Sequence, residues 1–398
     1  MKIGLYNCCI ENLLSSDISV AILASELAHG HSTEIIRYPD SRTFEQLLKV
    51  SQVGLDQVSF RTVTPPPLFL TDPNRPDRRY EALRAWSDEL TRRYDLFINF
   101  ADRIPIFSSA RQSALVIQFP YDFIPSVYQM FWLGHLHSYQ LRLVNSYYTQ
   151  FWTRAFWEID CPVVYPPVPL DLATPLKENL IVSVQRFDAS QPHRQLKLIS
   201  AFKLLKSDFP AWTFKIFGDL DENRSNQSFF TAVCEAARNV GVDVVANQTS
   251  EQETELLRHA KIFWLASEAD EEVDFHPEQS DSFNLRLVQA MSAGCVPIVN
   301  NFGALSEVIR HGESGFFWNQ PGELLEYTAA LARNDILFQA MAQTARMRAL
   351  DFRPERFVDS FTRELQKHFG ITTRVRTMNR LRRLFSSGAK FLGYHKQG

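Results

Sequence analysis

The feature that most constrains this chain is a rhythm in its second half, where short apolar runs alternate with longer segments of helical period. The runs are Leu180–Val184, Thr213–Phe217, Val242–Ala246, Ile262–Leu265 and Val296–Val299. Between them lie helical patterns at His193–Lys206, Ser228–Asn239, Glu251–His259 and Phe283–Ala293. Strand-helix-strand alternation at this spacing predicts a parallel sheet covered on both faces, because parallel neighbours need a crossover and the crossover is a helix. The first half is less regular, yet Lys2–Tyr6, Glu34–Arg37, Leu96–Asn99 and Leu115–Gln118 read as strands. A helix over Ile18–His29 follows the first of them, as a Rossmann-like βα unit requires.

At 398 residues the chain exceeds one ordinary core. The Pro-rich run from Tyr165 to Leu170 cannot continue a strand or helix, so the boundary is expected near residues 166–178. The reading is an α/β protein with Rossmann-like domains over 1–170 and 178–350, and a cleft between their parallel sheets. Ligands of open α/β sheets bind at the carboxyl ends of the strands. A helix over 351–370 is expected to return to the first domain, and 371–398 forms a tail.

Net charge is −3, which excludes bulk electrostatic binding of nucleic acid. Cys8, Cys9, Cys161, Cys234 and Cys295 make no CxxC pair and no metal-ligand spacing, so a reducing compartment fits better than a disulfide framework. The N-terminus reads as a strand rather than a signal peptide. Residues 124–140 are uncharged and aromatic-rich, but Pro125, Gln129, His135 and His137 interrupt them, so no membrane span is expected. The expected location is the cytoplasm. The tail carries seven cations (Arg374, Arg376, Arg380, Arg382, Arg383, Lys390 and Lys396) and no acidic residue, with Leu381, Leu384, Phe385, Phe391 and Leu392 interleaved. It reads either as a peripheral contact with anionic lipid at the inner membrane face, or as a solvated tail or a helix packed onto the first domain.

The chemistry concentrates between His276 and Val299. A polar loop leads into a helix expected to start near Ser282, then a turn at Gly294 and a buried strand. Asp281 stands where an N-cap belongs. Helix starts expose unpaired N–H groups at the positive end of the dipole, which suits a diphosphate. Gln289 lies eight residues after Asp281, a helical span of about 12 Å, comparable to the distance from hexose to ribose in a nucleotide sugar.

This stretch resembles the signature of glycosyltransferase family 4, in which two glutamates eight residues apart flank a Phe-Gly pair, followed by Ala-Met-Ala-small-Gly, a Pro-containing strand and a Gly-Gly loop. The matching residues are Phe283, Ala290, Met291, Gly294, Pro297, Gly303 and Glu307, then His311-Gly312-Glu-Ser-Gly315-Phe. Asp281 and Gln289 occupy the two glutamate positions, Asn284 replaces a glycine, and Ala304 the second glycine of the loop. Val182-Ser-Val-Gln-Arg186-Phe resembles the family's Gly-Arg motif, and His193 or Arg194 falls where a lysine follows it. In the first half, Ala114-Leu-Val-Ile-Gln118 is similar to a strand that often carries a histidine near the reacting centre, and Asn145-Ser146-Tyr and Val164-Tyr-Pro-Pro-Val also fit. Ser15-Ser16-Asp17 lies near the place of a Gly-rich loop that is absent.

The resemblance implies a GT-B fold and a retaining glycosyltransferase that moves a hexose from a nucleotide-diphosphate sugar to a glycan or lipid-linked acceptor, in cell-surface polysaccharide synthesis. It implies Asp281 on the donor sugar and Arg186 with Arg194 or His193 on the diphosphate. Ser282, Phe283, Asn284 and Leu285 are implied beside the phosphates, Gln289 on the ribose, and Gln118 near the sugar or acceptor. No cofactor and no metal are implied, and the chain has no Asp-x-Asp motif. The rival expectation is a degenerate GT-B protein that binds a nucleotide sugar or a partner without turnover. A Rossmann oxidoreductase is disfavoured, since Gly4 to Asp17 holds no GxGxxG. His135 and His137 would suit a metal only on a strand, and the acidic run 268–274 reads as a solvated loop.

Overall fold

The computed structural model describes residues 1–7, 14–39, 47–48, 51–64, 76–100, 106–120, 134–173, 175–266 and 283–372. Asp281, Ser282, the acidic run and the tail from 373 onward lie outside the described residues.

The first half forms a six-stranded sheet: β1 (Lys2–Tyr6), β2 (Ser32–Arg37), β3 (Val58–Thr62), β4 (Leu96–Asn99), β5 (Gln112–Ile117) and β6 (Leu141–Val144). Helices α1 (Leu14–Ala28), α2 (Pro76–Thr91) and α3 (Tyr147–Trp157) accompany it. The order is β3-β2-β1-β4-β5-β6, every pair parallel. The second half repeats the plan with β7 (Glu178–Val184), α4 (His193–Asp208), β8 (Thr213–Gly218), α5 (Arg224–Arg238), β9 (Asp243–Ala246), α6 (Ser250–His259) and β10 (Ala260–Leu265). It continues with α7 (Leu285–Ser292), β11 (Val296–Asn300), α8 (Leu305–Val308), β12 (Phe316–Trp318), α9 (Pro321–Arg333) and α10 (Asp335–Ala349). Its order is β12-β11-β10-β7-β8-β9, again all parallel. Two doubly wound sheets are thus present as expected. In each, the order reverses beside the first strand, which opens a crevice at the carboxyl edge.

The buried strands are apolar along their length, with Ile181, Val182, Ile262, Phe263, Trp264, Ile298 and Val299 almost wholly enclosed. This is what a sheet covered on both faces demands. Helix α11 (Pro354–Phe369) ends at Gly370, which takes the left-handed conformation of a C-terminal cap. It lies against α1, and its Phe361 stacks on Phe100 at the end of β4. Buried apolar side chains therefore run without a break from β1 and β4 through Val164 and Val168 to β7, α7 and α11.

Asn145 and Ser146 follow β6, and Ser146 caps α3 by accepting from the Thr149 amide at 3.0 Å. From the other sheet, the Glu307 carboxylate in α8 accepts from the Tyr147 amide at 2.8 Å and the Tyr148 amide at 2.7 Å. It also accepts from the Tyr165 hydroxyl at 2.7 Å. The segments that leave the carboxyl ends of β6 and β11 thus meet, and the two crevices open toward each other.

One expectation is corrected. The helix expected to begin near Ser282 with Asp281 as its cap begins instead at Leu285. Asn284 is extended and its side chain accepts from the Leu287 amide at 2.9 Å. Asparagine is among the best N-caps, so it ends the preceding loop three residues later than the aspartate would. Histidines 135 and 137 sit on a helical turn, not a strand, and His135 is buried with its ring edge-on to Phe107.

Candidate donor site in the interdomain cleft

The second-domain wall of the cleft is set by the ends of β7, β8 and β10. Gln185 follows β7, and its side-chain amide donates to the Ala266 carbonyl at 2.6 Å, tying β7 to β10. Its backbone lies so close to β8 that a Cβ on Gly218 would fall 2.0 Å from the Gln185 carbonyl oxygen. Only glycine fits there. Arg186 therefore leaves the sheet from a fixed point. Its carbonyl accepts from Gln195 Nε2 at 3.0 Å, which joins it to the first turns of α4. That helix begins at His193 after Pro192, whose side chain makes no cap, so His193 and Arg194 stand in its first turn.

The Arg186 guanidinium is half-exposed and pairs with Asp221 at 2.7 Å. Asp221 is held in turn by Asn226 Nδ2 at 2.9 Å and the Asn223 amide at 3.0 Å. These bonds, Asn226 first and Arg186 next, hold its carboxyl below the usual range. Arg186, the cation expected on the phosphates, thus has an anionic partner that the sequence did not announce.

Phe283 and Asn284 precede α7, and the Phe283 ring packs on Tyr165 and Phe352. The Asn284 side-chain oxygen serves as the helix cap. Leu285 is buried. Gln289 is half-buried, and its Oε1 accepts from Arg286 at 3.2 Å. Arg286 also pairs with Glu253 of α6 at 2.5 Å. Glu253 is only 3% exposed. Burial pushes its carboxyl up to about 7, against the pull of Arg286 and with help from Asp219.

Across the cleft, Gln118 ends β5 and is buried, its side-chain oxygen accepting from Asn145 at 3.5 Å and its carbonyl from the same amide at 3.0 Å. At the end of β1, Asn7 donates to the buried Asp17 carboxylate at 2.5 Å, and Ser16 to Asn7 at 3.4 Å.

The structure thus gathers Arg186, His193, Arg194, Phe283, Asn284 and Gln289 along one carboxyl edge, with Gln118 on the other sheet. Asp281 and Ser282 lie outside the described residues. Sequence reasoning missed Asp221, Glu253 and Arg286. Arg286, three residues before Gln289 on the same partly exposed side of the helix, was the available signal. Among the described residues, no group of three His, Cys, Asp or Glu is disposed to hold a metal ion, and no helix is long and apolar enough to cross a membrane.

Several solved structures share this fold. A glycosyltransferase from Rickettsia africae ESF-5 superposes with a TM-score of 0.68 at 14% identity, over 93% of this chain and 99% of that one. HepE of Anabaena, solved in complex with UDP, gives 0.65 at 15% identity, over 92% and 100%. In sequence, the chain is 23% identical over 268 residues to a GDP-Man:Man(3)GlcNAc(2)-PP-Dol alpha-1,2-mannosyltransferase of Dictyostelium discoideum. That match covers 62% of this chain and half of the relative's length. The fold is therefore GT-B, and residues 170–348, which build the Arg186 and Gln289 wall of the cleft, match the family Glycosyl transferases group 1.

Proposed function

We propose that the chain is a retaining glycosyltransferase that moves a hexose from a nucleoside-diphosphate sugar to a hydroxyl of a glycan or lipid-linked acceptor. The observation that carries the reading is Arg186, fixed at the end of β7 and tied by its carbonyl to Gln195 in the first turn of α4, on the wall that matches the group 1 family. A cation beside a helix N-terminus suits a diphosphate. The UDP complex of HepE and the GDP-Man in the name of the Dictyostelium relative support a nucleotide-sugar donor.

In the proposed step, the bond from the anomeric carbon to the β-phosphate oxygen breaks while the acceptor oxygen bonds to that carbon from the same face. The acceptor's proton passes to the leaving phosphate. Negative charge grows on the diphosphate, where Arg186, Arg194 or His193, and the first amides of α4 stabilise it, so no divalent metal is required. Asp281 holds the sugar hydroxyls, Gln289 the ribose, and Gln118 the sugar or the acceptor. The basic tail would bring the enzyme to anionic lipid at the inner membrane face, where lipid-linked acceptors of surface polysaccharide lie.

A second reading is a binder without turnover. It is favoured by the Arg186–Asp221 pair and by glutamine at 289. The test is chromatography of UDP- and GDP-hexoses incubated with the protein, with and without a membrane extract. Release of the nucleoside diphosphate supports transfer. Donor binding without release supports the second reading.

A further inference from the structure

Gln289 departs from the acidic residue that the resemblance places there, and the structure offers a reason. The Arg286 guanidinium stands one turn earlier on α7, 3.2 Å from Gln289 Oε1 and 2.5 Å from the Glu253 carboxylate of α6. Glu253 is almost fully enclosed, and Arg286 largely so, at 22% side-chain exposure. The carboxylate lacking at 289 is thus present nearby, supplied by a different helix. A second one at 289 would crowd two anions around a single guanidinium, with Asp219 already acting on Glu253.

Arginine carries donors only, so the group facing it must be an acceptor. Gln289 therefore turns its carbonyl oxygen to Arg286 and its NH2 the other way. We propose that Arg286, seated by Glu253, is a positioning residue that makes Gln289 a hydrogen-bond donor to the ribose hydroxyls of the nucleotide. This rests on the reading of Gln289 as the ribose contact. A carboxylate there would only accept. The fixed amide offers two N–H bonds to hydroxyl oxygens, with no net charge added beside the diphosphate. Without the guanidinium the amide is free to flip, and the donor geometry is lost.

The test compares affinity for UDP and GDP with that for their 2′,3′-dideoxy forms, by calorimetry at pH 8, where Glu253 is ionised. Whichever nucleotide binds the wild type should show at least a tenfold preference for the ribose form. Glu253→Gln and Arg286→Met should each reduce that preference to threefold or less, by weakening the ribose form alone. Arg286→Lys should restore part of it. The double variant E253Q/R286M removes both charges together, leaves no unpaired buried ion, and should behave as the single variants do. If Gln289→Ala abolishes the preference while the Glu253 and Arg286 variants keep it, Gln289 binds ribose unaided and the positioning role is overturned. If Gln289→Ala leaves the preference intact, the ribose assignment itself fails and the positioning role falls with it.

Discussion

Replacing Glu307 by alanine should loosen the union of the two domains by a predictable amount. Its carboxylate accepts three hydrogen bonds at 2.7–2.8 Å, from the Tyr147 and Tyr148 amides at the start of α3 and from the Tyr165 hydroxyl in the linker. Tyr147 is exposed, so water replaces its bond when the side chain is cut back. The Tyr148 amide and the Tyr165 hydroxyl are partly buried and lose their partner. Burial and the neighbouring carboxylate hold the Tyr165 hydroxyl well above its usual range, so it stays a donor at every working pH. At about 1 kcal/mol for each of these two bonds, plus about 0.5 kcal/mol for an anion at a helix start, the loss comes to about 2–3 kcal/mol. Arg348 holds the Glu307 and Val308 carbonyls, so the α8 backbone should stay in place and only the carboxylate is tested. Urea unfolding, paired with small-angle X-ray scattering, measures both effects. Glu307→Ala should unfold at lower urea and show a larger radius of gyration, with Glu307→Gln between it and the wild type. Unchanged unfolding and an unchanged radius would refute the reasoning.

Three further outcomes are expected. Gly218→Ala places a Cβ 2.0 Å from the Gln185 carbonyl, so it should cost about 1–3 kcal/mol in urea unfolding and weaken nucleotide affinity by moving Arg186. Unchanged values for both would remove Gly218 from the account. Glu253 titrates near 7 in the folded chain and near 4.5 unfolded, so the folded state binds more protons between these values. The contribution of Glu253 to stability should therefore fall by about 3 kcal/mol as pH rises from 4.5 to 7, a difference between wild type and Glu253→Gln that urea titrations measure and that parallel pH profiles would contradict. Removing residues 373–398 should abolish sedimentation with phosphatidylserine vesicles and spare nucleotide binding, and retained sedimentation would place the lipid contact elsewhere.

The fold was legible because parallel strands buried on both faces must be apolar throughout. Leu96–Asn99 and Lys2–Tyr6 could be read with their exact ends for that reason. Strands β3, β6 and β12 were not read from the sequence; β6, Leu141–Val144, is four residues long and interrupted by Arg142. Val58–Thr62 is a half-exposed edge strand and Phe316–Trp318 has three residues, so neither carries enough apolar pattern to stand out. In the site, the second-domain candidates came from the resemblance of two short motifs, around Arg186 and around Phe283–Gly294, to a family signature. Their partners were not, since Asp221 reaches Arg186 and Glu253 reaches Arg286 only through tertiary contact, 35 residues separating Arg186 from its aspartate. The shift of the α7 start from Ser282 to Leu285 came from choosing the first good cap in the run, Asp281, over the second, Asn284. Local propensity ranks the two alike.

The central claim is a nucleotide-sugar site centred on Arg186. Calorimetry of UDP- and GDP-hexoses in EDTA, on the wild type, Arg186→Ala and Asp221→Asn, tests it most directly. One donor class should bind the wild type, at least tenfold more weakly to Arg186→Ala, and more tightly to Asp221→Asn, where the cation is released from its partner. A folded wild type that binds neither donor, or an Arg186→Ala variant with unaltered affinity, would contradict the account.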